Sequence, residues 1–206
     1  VVDRHPDYAS SLYARERGHE VIAVQHHHAH VAACMAEHGL EHPVLGVAWD
    51  GTGLGDDRTI WGGEFLLAER GACERVGTVS GFRLPGGDGA MRKPVSSAVG
   101  LLQAFFPDAM PELATEMLGL EEPAVRTLVS MIERRLNAPY TTSIGRWFDG
   151  LAALCGVCRT STFEGQAAMM LEWSIGAERD RAPYPFEWRK ADGLRVADLR
   201  RMLLEQ

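Results

Sequence analysis

Four of the five residues from His26 to His30 are histidines, inside the stretch VQHHHAHVAACMAEHG that spans residues 24–39. Imidazole changes charge near neutral pH and ligates transition metals through a ring nitrogen, so metal binding is the first chemistry such a density suggests. Val31, Cys34 and Met35 recur at helical spacing and Gly39 ends the pattern, which predicts a helix from His26 to Glu37. On a helix, residues four apart lie on one face. His26 and His30 can therefore aim their rings at one ion, while His27 and His28 are expected to point elsewhere. Zinc or iron needs at least one further donor, and Asp50 is the candidate, because it ends the apolar run PVLGVAWD where strand ends open into ligand crevices. The alternative is a solvated helix start, or one core histidine with three exposed ones.

The run DGTGLGDD that begins at Asp50 reads as a turn after the strand. The glycines Gly51 and Gly53 would let backbone N–H groups and the Thr52 hydroxyl approach a phosphate closely; a plain surface hairpin has the same composition. In FEGQAAMMLE, Glu164 stands at a predicted helix start, where its carboxylate can accept from ribose hydroxyls or cap the helix dipole, and Gly165 leaves room for a ligand. In GRWFDGLAAL, Arg146 and Asp149 either face a cleft or form a surface ion pair flanking buried Trp147 and Phe148. Cys155 and Cys158 have the CxxC spacing of half a zinc site or a redox pair. No second CxxC exists, so two structural cysteines at a helix end are expected.

These residues must be held by elements. Helical spacing is expected over residues 7–18, 96–106, 122–136, 145–156, 164–178 and 196–206, in addition to the histidine helix. Strands are expected over residues 19–25, 43–50, 60–69 and 73–82, the last two as an antiparallel ribbon. The order places a strand-rich half at residues 1–82 and a mainly helical half at residues 95–206, joined by the loop RLPGGDGAMRKP at residues 83–94.

The 206 residues are 46% hydrophobic and 24% charged, which is globular composition with enough apolar content for a core. A net charge of −7 gives no support to a broad nucleic-acid footprint. No apolar run reaches the length of a membrane span, and VVDRHPDYAS lacks the layout of a secretory signal, so a cytoplasmic protein is expected.

Six separated blocks, DRHPDY, QHHHAHVAACMAEHG, GVAWDGTGLGDDRTIWGGEFLL, RLPGGDGAMRKP, TTSIGRWFDGLAALCGV and FEGQAAMMLE, run from residue 3 to about residue 173. Together they resemble the carbamoyl-transfer domain of the [NiFe]-hydrogenase maturation carbamoyltransferase family, HypF. The stretch is also similar to antibiotic O-carbamoyltransferases and, more distantly, to proteins that carry threonylcarbamoyl onto tRNA. The resemblance implies an α/β fold with the ribonuclease H-like lobes of actin, sugar kinases and heat-shock chaperone ATPases. It implies that the carbamoyl group of carbamoyl-adenylate, made from carbamoyl phosphate and ATP, passes to the C-terminal cysteine thiol of a HypE-like acceptor. His26, His30 and Asp50 would then ligate a divalent metal, iron or zinc, and Gly51, Thr52, Gly53, Glu164 and Gly165 would contact the adenylate.

Family members carry an adenylate-forming domain and others ahead of this region and a closing segment with a further carboxylate ligand. The sequence is therefore expected to be a fragment of a larger enzyme. A hydroxyl acceptor, a metal-dependent hydrolase and a partner-binding fragment without chemistry are the competing readings. The hydrolase lacks a glutamate beside the first histidine, whose neighbours are Gln25 and His27.

Overall fold

The computed structural model describes residues 1–18, 20–176, 183, 184 and 186–203. The chain opens with β1 (Val2–Asp3), α1 (Ala9–Glu16), β2 (Ala23–Val24) and α2 (His26–Glu37), and β1 pairs in parallel with β2. Three longer strands follow, β3 (Val44–Leu54), β4 (Ile60–Ala68) and β5 (Cys73–Val79), joined as an antiparallel meander. After β6 (Phe82–Arg83) come α3 (Pro94–Phe105), α4 (Met110–Leu118), α5 (Glu122–Glu133), β7 (Tyr140–Thr141), α6 (Ile144–Leu154) and α7 (Gln166–Ser174). The hairpin of β8 (Glu187–Ala191) and β9 (Leu194–Asp198) then returns to the sheet, with β9 parallel to β5. Among the described residues the sheet runs β6-β7-β4-β5-β9-β8, with β3 on the other edge of β4.

The core lies on both sides of this sheet. Val31 and Met35 of α2 pack on Ala48, Trp61, Leu66 and Ala68, which share one face of β3 and β4. Elsewhere Val79, Phe82, Leu101, Phe105, Ile144 and Trp147 join the sheet to α3 and α6. Ala98, Val99, Leu102, Met110, Ala114, Leu118 and Val125 bind α3, α4 and α5 into one cluster. The spacing that predicted α2, α3 and α6 is the spacing of these buried residues, and on α5 half-buried Leu128, Val129 and Ile132 continue the face that Val125 begins.

Several expectations are corrected. The strand expected over residues 19–25 shrinks to β2, with residue 19 outside the described ones. The turn expected at DGTGLGDD begins five residues later than Asp50: β3 continues through Asp50, Gly51, Thr52 and Gly53 to Leu54, and only Gly55, Asp56 and Asp57 of that run belong to the reversal. The register instead slips, because Trp49 faces Gly63 and Gly53 faces Trp61, so that residues 50–52 oppose Gly62 alone. The sequence therefore makes a bulge, and the reversal falls at Gly55, where the Gly55 N–H donates to the Thr59 carbonyl at 2.9 Å. The helical half is interrupted by β7, β8 and β9. The helix expected over residues 196–206 is corrected to the end of β9 and a 3-10 turn at Arg200–Leu203, residues 204–206 lying outside the described ones. Apolar residues in that run have helical spacing, but the Gly77↔Arg195 to Val79↔Ala197 pairing satisfies backbone groups along the edge of β5 that a helix at this place would leave unpaired. No described helix is long and apolar enough to cross a membrane.

Candidate metal centre

α2 begins where it does because Gln25 is extended and its side-chain oxygen accepts the His28 N–H at 2.8 Å. One orphan donor of the first turn is thereby satisfied, and the first helical residue is His26. The helix lies across β3 with its N-terminus over the bulge. A Cβ on Gly53 would collide with the His27 ring and come within 3.0 Å of His26 Cδ2, so only glycine lets the histidine turn settle this close.

The result is a convergence of lone pairs. His26 Nε2 stands 3.0 Å from Asp50 Oδ2 and 3.2 Å from His30 Nε2, while His30 Nε2 is 3.7 Å from Asp50 Oδ2. The three ligand atoms lie within 4.8 Å of one another. Asp50 is oriented by its own chain, since the Gly51 N–H donates to Oδ1 at 2.6 Å; Oδ2 is buried with no hydrogen-bond partner among the described residues. Two imidazole nitrogens and a carboxylate oxygen this close need a proton or a metal cation between them. The donor set is the nitrogen and oxygen mixture that zinc and iron accept.

A second layer supports it. His26 Nδ1 is 2.6 Å from Asp3 Oδ2, and Asp3 Oδ1 accepts the His5 N–H at 2.7 Å. Burial works to raise the Asp3 pKa, but the bonds from His5 and His26, together with the charges of those histidines, hold it below the ordinary carboxylate value. His27 stands outside the ligand group, as its place on the helix implies, and its fully buried ring points inward, with Nε2 3.6 Å from Asp50 Oδ2 and without a hydrogen-bond partner among the described residues. Burial holds its pKa below the ordinary imidazole value, with the negative charges of Glu64 and Asp50 opposing. His28 does turn away, its Nε2 lying 2.7 Å from the Glu69 carbonyl oxygen.

The start of α6 closes the other side of the bulge. Ser143 caps the helix by accepting the Arg146 N–H at 3.1 Å. Its hydroxyl proton is shared between the carbonyls of Asp50 at 2.9 Å and Gly51 at 2.8 Å. Arg146 and Asp149 are not a surface pair: they are 5% and 4% exposed, with Arg146 Nη1 2.9 Å from Asp149 Oδ2 but not aligned for a hydrogen bond. Burial raises the Asp149 pKa to about 6, against the Arg146 charge. Arg146 borders Gly51 and also lines a cavity of about 330 Å³ with Met91, Arg92, Thr162, Phe163 and Glu164. Burial pushes the Tyr8 phenol up, and the charges of Asp3, Asp50 and Glu164 add to the shift, so these three carboxylates share one electrostatic neighbourhood.

Comparison with known proteins decides the family. The model of the Kae1-like carbamoyltransferase domain, second subdomain, matches residues 46–206, and that of the HypF Kae1-like domain matches residues 1–37. The chain belongs to the HypF carbamoyltransferase family. It is 46% identical over 176 residues to carbamoyltransferase HypF2 of Cupriavidus necator, covering 82% of this chain and 21% of that protein. It is 42% identical over 202 residues to carbamoyltransferase HypF of a Synechocystis species, covering 90% and 26%. The crystal structure of full-length HypF in its phosphate- and nucleotide-bound form superposes with a TM-score of 0.88 at 38% identity, over 99% of this chain and 31% of that one. HypF of T. kodakarensis gives 0.79 at 30% identity over 98% and 28%. The chain thus spans about a fifth to a quarter of the first two relatives.

Within this HypF-family fold the structure brings His26, His30 and Asp50 together, and puts Gly51, Thr52 and Gly53 in the bulge rather than in a hairpin turn. Gly165 is the residue before α7, with φ +74, and Glu164 precedes it, exposed at the cavity rim. Glu164 does not cap α7; Gln166 Oε1 instead accepts the Thr162 N–H at 2.6 Å. Cys155 is the C-cap of α6, and Cys158 packs between Ala152 and Ala167. Sequence reasoning missed Asp3, His27 and Arg92. The pairing of β1 with β2, which carries Asp3 to His26, leaves no periodic trace in two-residue strands.

Proposed function

We propose that this chain is the part of a carbamoyltransferase that moves the carbamoyl group of carbamoyl-adenylate to the C-terminal cysteine thiol of a HypE-like protein, for cyanide-ligand synthesis in [NiFe]-hydrogenase maturation. The observation that carries the reading is the convergence of His26, His30 and Asp50 beside an arginine-lined cavity, in a chain of the HypF family. The adenylate-forming domain of a longer parent chain would deliver the intermediate.

In this reading His26 Nε2, His30 Nε2 and Asp50 Oδ2 hold iron or zinc. Such an ion, when bound, supplies positive charge against the negative charge that develops on the reacting oxygens. The acceptor thiolate sulfur bonds to the carbamoyl carbon, the carbon–oxygen bond to phosphate breaks, and AMP leaves with the electron pair. Arg146, anchored in the core and bordering Gly51, would face that phosphate with fixed charge, which costs no reorganisation during the reaction, and the exposed Arg92 lines the same cavity. In the same reading Glu164 at the cavity rim and Gly165 beside it would contact the ribose, and Thr52 would offer its hydroxyl from the bulge. The nucleophile belongs to the acceptor, so no Ser, Cys or Lys of this chain is required.

The test uses the full parent enzyme with carbamoyl phosphate, ATP and a HypE-like acceptor, following labelled carbamoyl on the acceptor cysteine. Asp50→Ala and His30→Ala are expected to lose metal by mass spectrometry and to reduce transfer by at least roughly 100-fold, the scale of removing a main electrostatic stabiliser. Chelator treatment of the native protein is expected to do the same and readdition of iron or zinc to reverse it. Full transfer by metal-depleted protein would overturn the reading.

A further inference from the structure

We propose that Asp3 is a positioning residue for the metal centre: its carboxylate fixes His26 as the Nδ1–H tautomer, so that the Nε2 lone pair is the one presented toward His30 and Asp50. The inference rests on the metal-binding reading given above.

A neutral imidazole carries its proton on either ring nitrogen, and only the nitrogen without it can ligate a cation. His26 Nε2 is the atom that faces Asp50 Oδ2 at 3.0 Å and His30 Nε2 at 3.2 Å. The other nitrogen, Nδ1, lies 2.6 Å from Asp3 Oδ2. An ionised carboxylate can only accept, so the shared proton resides on Nδ1; the Asp3 contact has hydrogen-bond geometry whereas the approach of Nε2 to Asp50 Oδ2 does not, and in the neutral ring Nε2 is left free. The same contact makes the ring a stronger donor and stops its rotation about the bond to Cβ.

Asp3 itself is held on all sides by groups that have no part in the triad. Its backbone pairs with Val24, two residues before His26, and the Arg4 N–H donates to the Val24 carbonyl at 2.9 Å. Its carbonyl accepts from the buried Ser11 hydroxyl at 3.0 Å, and its Oδ1 accepts the His5 N–H at 2.7 Å. Oδ2 is thereby aimed at His26. The short β1–β2 ladder, which contributes little to the core, has this as its visible consequence: it ties a carboxylate 23 positions upstream to the first ligand of the helix.

The test compares the 206-residue chain with Asp3→Ala, Asp3→Asn and His26→Ala. Zinc affinity is measured by competition with a chelator, and the His26 tautomer of the metal-free protein by long-range proton–nitrogen correlation of the ring. Wild type is expected to show Nδ1–H at His26. Asp3→Ala is expected to mix the tautomers and weaken zinc binding by about 10–100-fold, the scale for an outer partner of a ligating histidine. Asp3→Asn keeps the shape and an acceptor oxygen without charge and is expected to fall between the two, which gives a decisive variant even where Asp3→Ala does not fold. Zinc affinity and tautomer unchanged in Asp3→Asn, or zinc affinity of folded Asp3→Ala within about twofold of wild type, overturns the inference while leaving the metal reading intact. Equal zinc binding by wild type and His26→Ala overturns the metal reading, and the inference with it.

Discussion

At the scale of single residues, the environment of the triad depends on two positions that carry no metal-binding group. Gly53 has the His27 and His26 rings against the place a side chain would occupy. Gly53→Ala is expected to lower stability by about 1–3 kcal/mol in denaturant titration, the usual cost of overpacking, and to lower metal occupancy with it. Glu64 is fully buried and accepts from Arg75 Nε at 2.7 Å, from the Thr142 hydroxyl at 2.5 Å and from the Gly62 N–H at 3.1 Å. Arg75 in turn lies 4.1 Å over the Trp61 ring, which neighbours His27. Glu64→Ala leaves that guanidinium without its main counter-charge, and a loss of about 3–5 kcal/mol is expected from the same titration. Glutamate in an otherwise apolar strand pattern signals an interior ion pair, but nothing in the local sequence names Arg75 as the partner.

At the scale of elements, the site is a junction of α2, the β3 bulge and the start of α6. Ser143 is the pin, because one side chain caps α6 and holds two carbonyls of the bulge. Ser143→Ala is expected to cost about 1 kcal/mol for the cap, with a further loss from the released carbonyls, and to weaken zinc binding without removing any ligand. Chelator competition beside thermal unfolding separates the two effects. The helices α2, α3, α5 and α6 were legible because their buried faces repeat every three to four residues. The β1–β2 and β6–β7 pairs were not, since a two-residue strand exists only through its distant partner. The bulge was misread for a related reason: Asp-Gly-Thr-Gly favours a reversal locally, yet the facing strand supplies ladder partners on both sides of it.

At the scale of the whole molecule, folding takes Arg146 and Asp149 out of water together. Asp149 binds its proton more tightly in the folded chain, with a pKa of about 6 against an ordinary 3.8. The folded state therefore holds more protons than the unfolded one between these values. The stability linked to this group is full below about pH 4 and is lost as pH rises through about 6. His27 works in the opposite direction, being favoured neutral by burial, so its contribution is present above its unfolded value and lost as pH falls. The difference between wild type and Asp149→Asn isolates the first effect: the variant is expected to lack the fall between pH 4 and 6, by an amount on the order of 3 kcal/mol. Unfolding free energies across that range check it, and parallel curves for the two proteins would contradict it.

The sequence by itself determined the α/β class, the amphipathic helices, the family and the set His26, His30 and Asp50, because helical periodicity, strand ends and motif order are written in neighbouring residues. Tertiary structure alone decided which charges are buried, which nitrogen of His26 faces Asp50, that His27 turns inward, and that residues 194–198 add a strand to the sheet instead of continuing a helix. Those outcomes depend on desolvation and hydrogen-bond partners contributed by segments tens of residues away. From their spacing Arg146 and Asp149 either face a cleft or pair at the surface, and only the packing of α6 between α3 and α7 places both in the interior, with Arg146 also lining a cavity.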